Sequence, residues 1–376
     1  MKTLDWIEFL TPRPVASDAA DLLANRGAAF VYGTGTAARE VIAALQAQGV
    51  RLDAVVDAKS QLKEFCGLPV LSPDSNLLSS QDRSSTPLVI GIFNAFVDIL
   101  ALREKLTNGG WKKVILFEDL HALMPGDLGD RYWLTRREAA ASHVSEINFA
   151  DELWADEASR HLYRELWRFR MSGDRSGIVR NEGSPQYFPS DVPTWASPLR
   201  IVDCGAFDGD TLETIRRLGV HLEAAALFEP DPANFIKLVE AAKGWPVKQA
   251  ELLAWPCGVS AKTEILRFSG NNGAASGFSE TGEITVPCVA LDDALTGFEP
   301  NLIKMDIEGA ENDALDGAMH IIFQGRPGLA ICVYHRPDDL WQLPAKVASW
   351  NLGYQLYLRA HQFNGFDVVL YAQPTA

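Results

Sequence analysis

Cysteine is scarce in this chain of 376 residues: Cys66, Cys204, Cys257, Cys288 and Cys332 are odd in number and scattered. They never form a CxxC pair, which excludes a disulfide framework and a zinc site of the usual spacing. Basic residues are also short, 34 Lys and Arg against 49 Asp and Glu, for a net charge of −15. Polyanions are repelled by such a chain at long range, so nucleic acid and anionic membrane surfaces are not expected partners. Long apolar runs are missing as well. The longest, Leu88 to Leu100, is interrupted by Asn94 and Asp98 and is too short to cross a bilayer. The first residues, MKTLDWIEFLTPRPV, place Asp5 and Glu8 inside their apolar patch and do not read as a signal peptide. Together these absences predict a soluble, cytoplasmic protein with reduced thiols.

What is present is a globular balance, 47% hydrophobic and 22% charged, over a length suited to two domains or three if one is small. No repeat of fixed period and no low-complexity segment is visible. Two stretches carry an α/β pattern. In the first, the apolar run from Ala28 meets a glycine turn, after which Ala38, Val41, Ile42 and Leu45 recur at helical spacing. Strands are expected at Leu52–Val56, Pro87–Phe93 and Val114–Phe117, and a helix at Val97–Leu106, within a domain covering residues 1–125. Residues 126–197 read as a helical linker, Glu138 to Arg170, followed by a long Gly/Pro/Ser-rich loop. A loop of that length is either a lid facing a substrate or a plain connector. The second pattern, residues 198–376, predicts strands at Leu199–Cys204, Ala224–Phe228, Lys248–Ala254, Leu302–Asp306, Leu329–Val333, Tyr354–Arg359 and Val368–Ala372. Its last two strands flank Asn364-Gly365, a turn signal, and read as an antiparallel hairpin ending a parallel sheet.

Both patterns place a glycine turn between strand and helix, a nucleotide-binding geometry. Charge separates the two. The second turn, IVDCGAFDGDT, holds Asp203, Asp208 and Asp210. A pyrophosphate over a helix N-terminus would be opposed by three carboxylates. A cationic ligand without phosphate would not, and S-adenosyl-L-methionine, with its sulfonium and ammonium, is of that kind. Gly205 and Gly209 would let backbone approach it. Glu229, ending the next strand in LFEPDP, sits where an acid can accept hydrogen bonds from ribose hydroxyls. The first turn, YGTGTAARE, is acid-free until Glu40 and carries Thr34, Thr36 and Arg39, which suit phosphate; Asp57 follows Gly35 at the spacing of a ribose-binding acid.

From Leu199 onward the chain resembles the FkbM-type family of S-adenosylmethionine-dependent methyltransferases. The resemblance rests on VDCGAFDGDT, the acid in FEPDP, LDDAL at 291–295, and above all LIKMDIEGAENDAL with Lys304, Asp306, Glu308, Gly309 and Glu311. It implies an α/β fold with the Rossmann-like sheet of a class I methyltransferase and its terminal antiparallel hairpin. A smaller Rossmann-like α/β domain and the helical linker precede it. It also implies methyl transfer to an oxygen of a carbohydrate or secondary metabolite, so a small-molecule or glycan acceptor. The N-terminal stretch from YGTGTAARE to FCGLPVLSP resembles the Rossmann-like modules of sugar acetyltransferases and nucleotide-sugar-modifying enzymes. Either a nucleotide or nucleotide-sugar sits there, or the turn is empty and the domain serves as a scaffold or in a homo-oligomer.

The candidate cofactor residues are Asp203, Gly205, Ala206, Phe207, Asp208, Gly209, Glu229, Pro230, Ala254, Trp255 and Asp306. Trp255 would stack on adenine unless it is core, and Phe207 would pack on the cofactor. Methyl transfer needs the acceptor's proton removed. In an open sheet the groups for this gather at the carboxyl ends of strands: Asp306 and Glu308, His335 and Arg336, Arg359 and His361. His335 is the first choice as base, because its unperturbed pKa is nearest neutral, with Asp306 and Lys304 as the other catalytic candidates. Alternatively His335 and His361 are held by local hydrogen bonds. A divalent metal on Asp306, Glu308 and Glu311 is not favoured, since Asp306 and Glu308 would point to opposite faces of a continuing strand. Asn271, Asn272 and Ser276 would face the acceptor. Two other readings stand beside the methyltransferase: a dinucleotide-dependent sugar oxidoreductase using Gly33 and Gly35, and a binding module without turnover.

Overall fold

Largely apolar runs of three to seven residues, most of them followed by a glycine or an acid, become the central strands of two separate sheets. The computed structural model describes residues 4–246, 250–269, 277–278 and 284–375. It divides into two compact units, one of Met1–Val144, Arg164–Ile178 and Gln362–Phe366, the other of Ser145–Tyr163, Val179–His361 and Asp367–Ala376.

The first unit holds a sheet of β1 (Ala28–Tyr32), β2 (Arg51–Val56), β3 (Glu64–Phe65), β4 (Leu68–Leu71), β5 (Leu88–Ile90) and β6 (Val114–Ile115), in the order β3-β4-β2-β1-β5-β6. All pairings are parallel except the small β3–β4 hairpin. That hairpin has no counterpart in the sequence reading, because two short strands show no periodicity. The last strand is also shorter than expected: Phe117 starts the helix Phe117–Leu123, where its ring is buried. The expected ribose acid of this unit is engaged locally. Asp57 accepts from the Thr34 hydroxyl at 2.9 Å and from the amides of Lys59 and Ser60 at 2.8 and 2.9 Å, closing the loop after β2.

The second unit is built on seven strands: β7 (Leu199–Cys204), β8 (Leu222–Phe228), β9 (Glu251–Trp255), β14 (Leu302–Met305), β15 (Gly328–Cys332), β16 (Tyr354–Ala360) and β17 (Val368–Pro374). Their order is β16-β17-β15-β14-β7-β8-β9. Every pairing is parallel except those of β17 with β15 and with β16, so the chain ends in the antiparallel hairpin that the resemblance implies. Fully buried strands such as Leu302–Met305 and Gly328–Cys332 are continuous apolar runs broken only by Lys304, as expected for a sheet covered on both faces.

Between β9 and β14 lies a second, four-stranded sheet absent from the sequence reading. It comprises β10 (Gly258–Val259), β11 (Glu264–Ser269), β12 (Gly277–Phe278) and β13 (Ile284–Val289) in the order β10-β13-β11-β12. Val286 and Cys288, buried against Leu266, alternate with exposed Thr285 and Pro287, a period-two burial pattern. The expected acceptor-facing residues Asn271, Asn272 and Ser276 lie outside the described residues, as does the start of the strand expected from Lys248. Among the described residues no helix is long and apolar enough to cross a membrane. All five cysteines are free thiols.

Candidate active site

In an open parallel sheet the crevice opens where the strand order reverses, here between β7 and β14. Their registers set Asp203 beside Lys304. Both side chains are buried and pair at 2.9 Å. The Lys304 ammonium also donates to the Gly205 carbonyl at 2.6 Å. Burial would lower its pKa, but the carboxylates of Asp203 and Asp306 outweigh that and hold it charged. Lys304 therefore clamps the end of β7. One of the three carboxylates of the acidic turn is already matched by a cation.

The turn itself is fastened from the next strand. The amides of Gly205 and Ala206 both donate to the Phe228 carbonyl at 2.9 Å. Phe207, in the left-handed region at φ 48°, donates its amide to Glu229 at 2.9 Å, and Asp231 donates to the other Glu229 oxygen at 2.8 Å. Burial pushes the Glu229 carboxyl up to about 7. The two glycines answer to packing inside the protein. A Cβ on Gly205, at φ 79°, would lie 2.0 Å from the Asp306 carbonyl oxygen, and one on Gly209 would lie 2.7 Å from the Ala241 methyl. Asp208 is half-buried and Asp210, first residue of the helix Asp210–Leu218, is exposed. Pro230, Ala254 and Trp255 are half-buried at the ends of β8 and β9. One face of Trp255 stacks on Phe228, with centroids 4.9 Å apart and planes at 6°.

Across the crevice, β14 stops at Met305, and Glu308 and Gly309 turn the chain through left-handed conformations at φ 55° and 94°. This reversal corrects the expectation that Asp306 and Glu308 face apart: the strand does not continue, and both carboxylates approach the same ring. That ring is His335, three residues past the end of β15. Its Nε2 lies 3.3 Å from Asp306 and 3.9 Å from Glu308, and its Nδ1 lies 2.7 Å from Glu311. The side chain is 1% exposed. Glu311, wholly buried, also accepts from the Ile307 amide at 3.0 Å, so one carboxylate ties the turn to the histidine. Burial alone would lower the imidazole's pKa, yet Glu311 and Asp306 raise it well above its ordinary value. Burial works against charge on Asp306 too, but His335, Lys304 and Tyr187 hold it well below the usual carboxylate range. Burial pushes Glu308 up to about 8, with His335 opposing. Among the described residues no group of three His, Cys, Asp or Glu is placed to hold a metal ion.

One contributor escaped the sequence reading. Tyr187, in the long loop after the linker, donates its hydroxyl to Asp306 at 2.7 Å. The loop is stitched down by Trp195 donating to the Tyr187 carbonyl at 2.7 Å, Gln373 donating to the Pro193 carbonyl at 2.6 Å, and the Arg359–Asp191 pair at 2.6 Å. Only the GSPQYFPSD composition marks it, and composition does not say which residue points inward. Arg359 and His361, expected near the reacting groups, are held elsewhere. Arg359 pairs with Asp156 at 2.7 Å as well as Asp191, and His361 Nε2 meets the Tyr371 hydroxyl at 2.7 Å.

Residues 203–359 match the family model described as the methyltransferase FkbM domain. No curated protein matches the chain. The crystal structure of the methyltransferase FkbM from Methylobacillus flagellatus KT is similar over 97% of this chain and 95% of that one, with a TM-score of 0.76 at 21% identity. At that identity the likeness is one of fold. From Asp203 to the anchored Arg359, the chain is similar to a methyltransferase FkbM domain.

Proposed function

We propose that the chain is a cytoplasmic S-adenosylmethionine-dependent O-methyltransferase acting on a hydroxyl of a carbohydrate or secondary metabolite. The observation that carries this reading is the charge of the turn at residues 203–210. Asp208 and Asp210 rim it, and Glu229 backs it from the adjacent strand end. A phosphate there would meet the carboxyls of Asp208, Asp210 and Glu229, whereas a sulfonium and an ammonium are favoured by them. The donor set fits the cofactor: Glu229 is a desolvated carboxyl whose ionised form hydroxyl donors would stabilise, and Trp255 keeps one face off Phe228 for a base. When bound, S-adenosylmethionine supplies a methyl group on a positively charged sulfur. The chain's residues grip and orient it, and a carboxylate receives the acceptor's proton. The N-terminal unit enters this reading as a scaffold, since Asp57 closes its own loop.

Calorimetric titration with S-adenosylhomocysteine tests the proposal, followed by labelled-methyl transfer over a panel of neutral glycans. Binding with transfer to a hydroxyl is the expected result. Failure of S-adenosylhomocysteine to bind overturns it.

A further inference from the structure

Neutral pKa made His335 the natural base, and the structure gives its ring a different occupation. A ring 2.7 Å from Glu311, 3.3 Å from Asp306 and 3.9 Å from Glu308 sits among carboxylates as an imidazolium. An imidazolium has no lone pair with which to accept a proton. Asp306, bonded to Tyr187 and facing His335, is too weak a base, and the Lys304 ammonium is held in its buried pair. Glu308 remains. It stands on a left-handed residue at the tip of the turn after β14, at the carboxyl ends of the central strands, with its side chain 21% exposed.

We propose that Glu308 is the residue that takes the acceptor's proton, with His335 as the positioning residue that holds its carboxylate in the crevice. This rests on the methyltransferase reading above. In the step, a lone pair of the acceptor oxygen forms the new O–C bond. The S–C bond breaks with its electron pair staying on sulfur, and the hydroxyl proton passes to the Glu308 carboxylate, then to water at its exposed edge. Charge balances: a sulfonium and a carboxylate become a thioether and a carboxylic acid. The groups facing Glu308 are His335 beyond β15, Asp306 in its own turn, Glu311 in the following helix and Asp367 at the head of β17. Burial first, and then the three acids among these four, raise the Glu308 carboxyl to about 8 against the opposing His335, where a group both holds and yields a proton near neutrality. A cationic sulfur arriving beside it favours ionisation. The donor thus charges its own base on binding, and the neutral product does not.

Proton release on binding reads this without any acceptor. Titrations of S-adenosylmethionine and S-adenosylhomocysteine at pH 7, in buffers of different ionisation enthalpy, count the protons released. The wild-type protein should release more with the sulfonium ligand, by roughly half a proton or more. Glu308→Gln should bind both ligands and lose the difference, and Glu308→Asp should regain part of it. For any glycan that the wild type methylates, Glu308→Gln should slow transfer by about a hundredfold or more while S-adenosylhomocysteine affinity is kept. Equal release with the two ligands, or a difference that persists in Glu308→Gln, overturns the assignment. No binding of either ligand overturns the methyltransferase reading beneath it, a different result.

Discussion

A carboxyl buried at a strand end is expensive to ionise unless something donates to it, and Glu229 is such a group: two backbone amides reach it, and its pKa still rises to about 7. Ribose hydroxyls would add the missing donors. Glu229→Gln keeps the shape and removes the charge. It should weaken S-adenosylhomocysteine binding by roughly tenfold to a hundredfold, about 1.5–3 kcal/mol for hydrogen bonds to a charged group, as calorimetry would read. The placement of Glu229, at a strand end against the glycine turn, was legible before any coordinates, because it follows an apolar run directly. Protonation was not legible. His335 looks like a base in a sequence, where its free pKa is the only guide. Three carboxylates from the turn after β14 and the helix behind it reverse that role, and only folding brings them together.

Strand ends and turns carry the next lesson. The glycines of IVDCGAFDGDT are readable as a turn, but the partner they make room for is not. For Gly205 it is the Asp306 carbonyl, a hundred positions along the chain. Gly205→Ala should therefore cost at least about 3 kcal/mol in urea unfolding, from backbone collision added to strain at positive φ. Gly219 offers the control: its φ is 64°, yet nothing lies within 4 Å of a Cβ placed there. Gly219→Ala should cost only about 1–2 kcal/mol. Comparable losses at the two sites would show that the close approach of β7 to the turn after β14 carries little of the stability. The central strands were legible because each is a continuous apolar run. The β3–β4 hairpin was not, because strands of two and four residues leave no clear period, and in the four-stranded insert only the alternating burial of β13 leaves one. The position of Tyr187 within its loop depended on its contact with Cys332 in β15 and on the Tyr371 hydroxyl of β17 donating to the neighbouring Gln186 carbonyl, which no local pattern records.

Over the whole molecule, the raised carboxyls act together on stability. Glu229 and Asp339 near 7, Glu308 near 8 and Asp367 near 6 keep protons in the folded state that an unfolded chain loses around pH 4–4.5. Such groups stabilise most below the unfolded pKa, and that stability disappears as pH rises through the folded values. His335, raised from 6.5, adds in the same direction above neutrality. Asp306, held low, withdraws stability only as pH falls below about 4. The melting temperature should accordingly fall from pH 5.5 to 8.5, with up to about 1.4 kcal/mol per unit of pKa shift for each group. Glu229→Gln and Glu308→Gln should flatten the slope in scanning calorimetry. A melting temperature that climbs over that range would place these carboxyls in a more polar setting than the structure gives them. All of this follows from a crevice crowded with acids, and a crystal structure grown with S-adenosylmethionine and NAD supplied together tests that crowding most directly. The account predicts the sulfonium ligand at the turn of residues 203–210, with its ribose on Glu229. A dinucleotide there, its pyrophosphate seated over the helix that starts at Asp210, would contradict it.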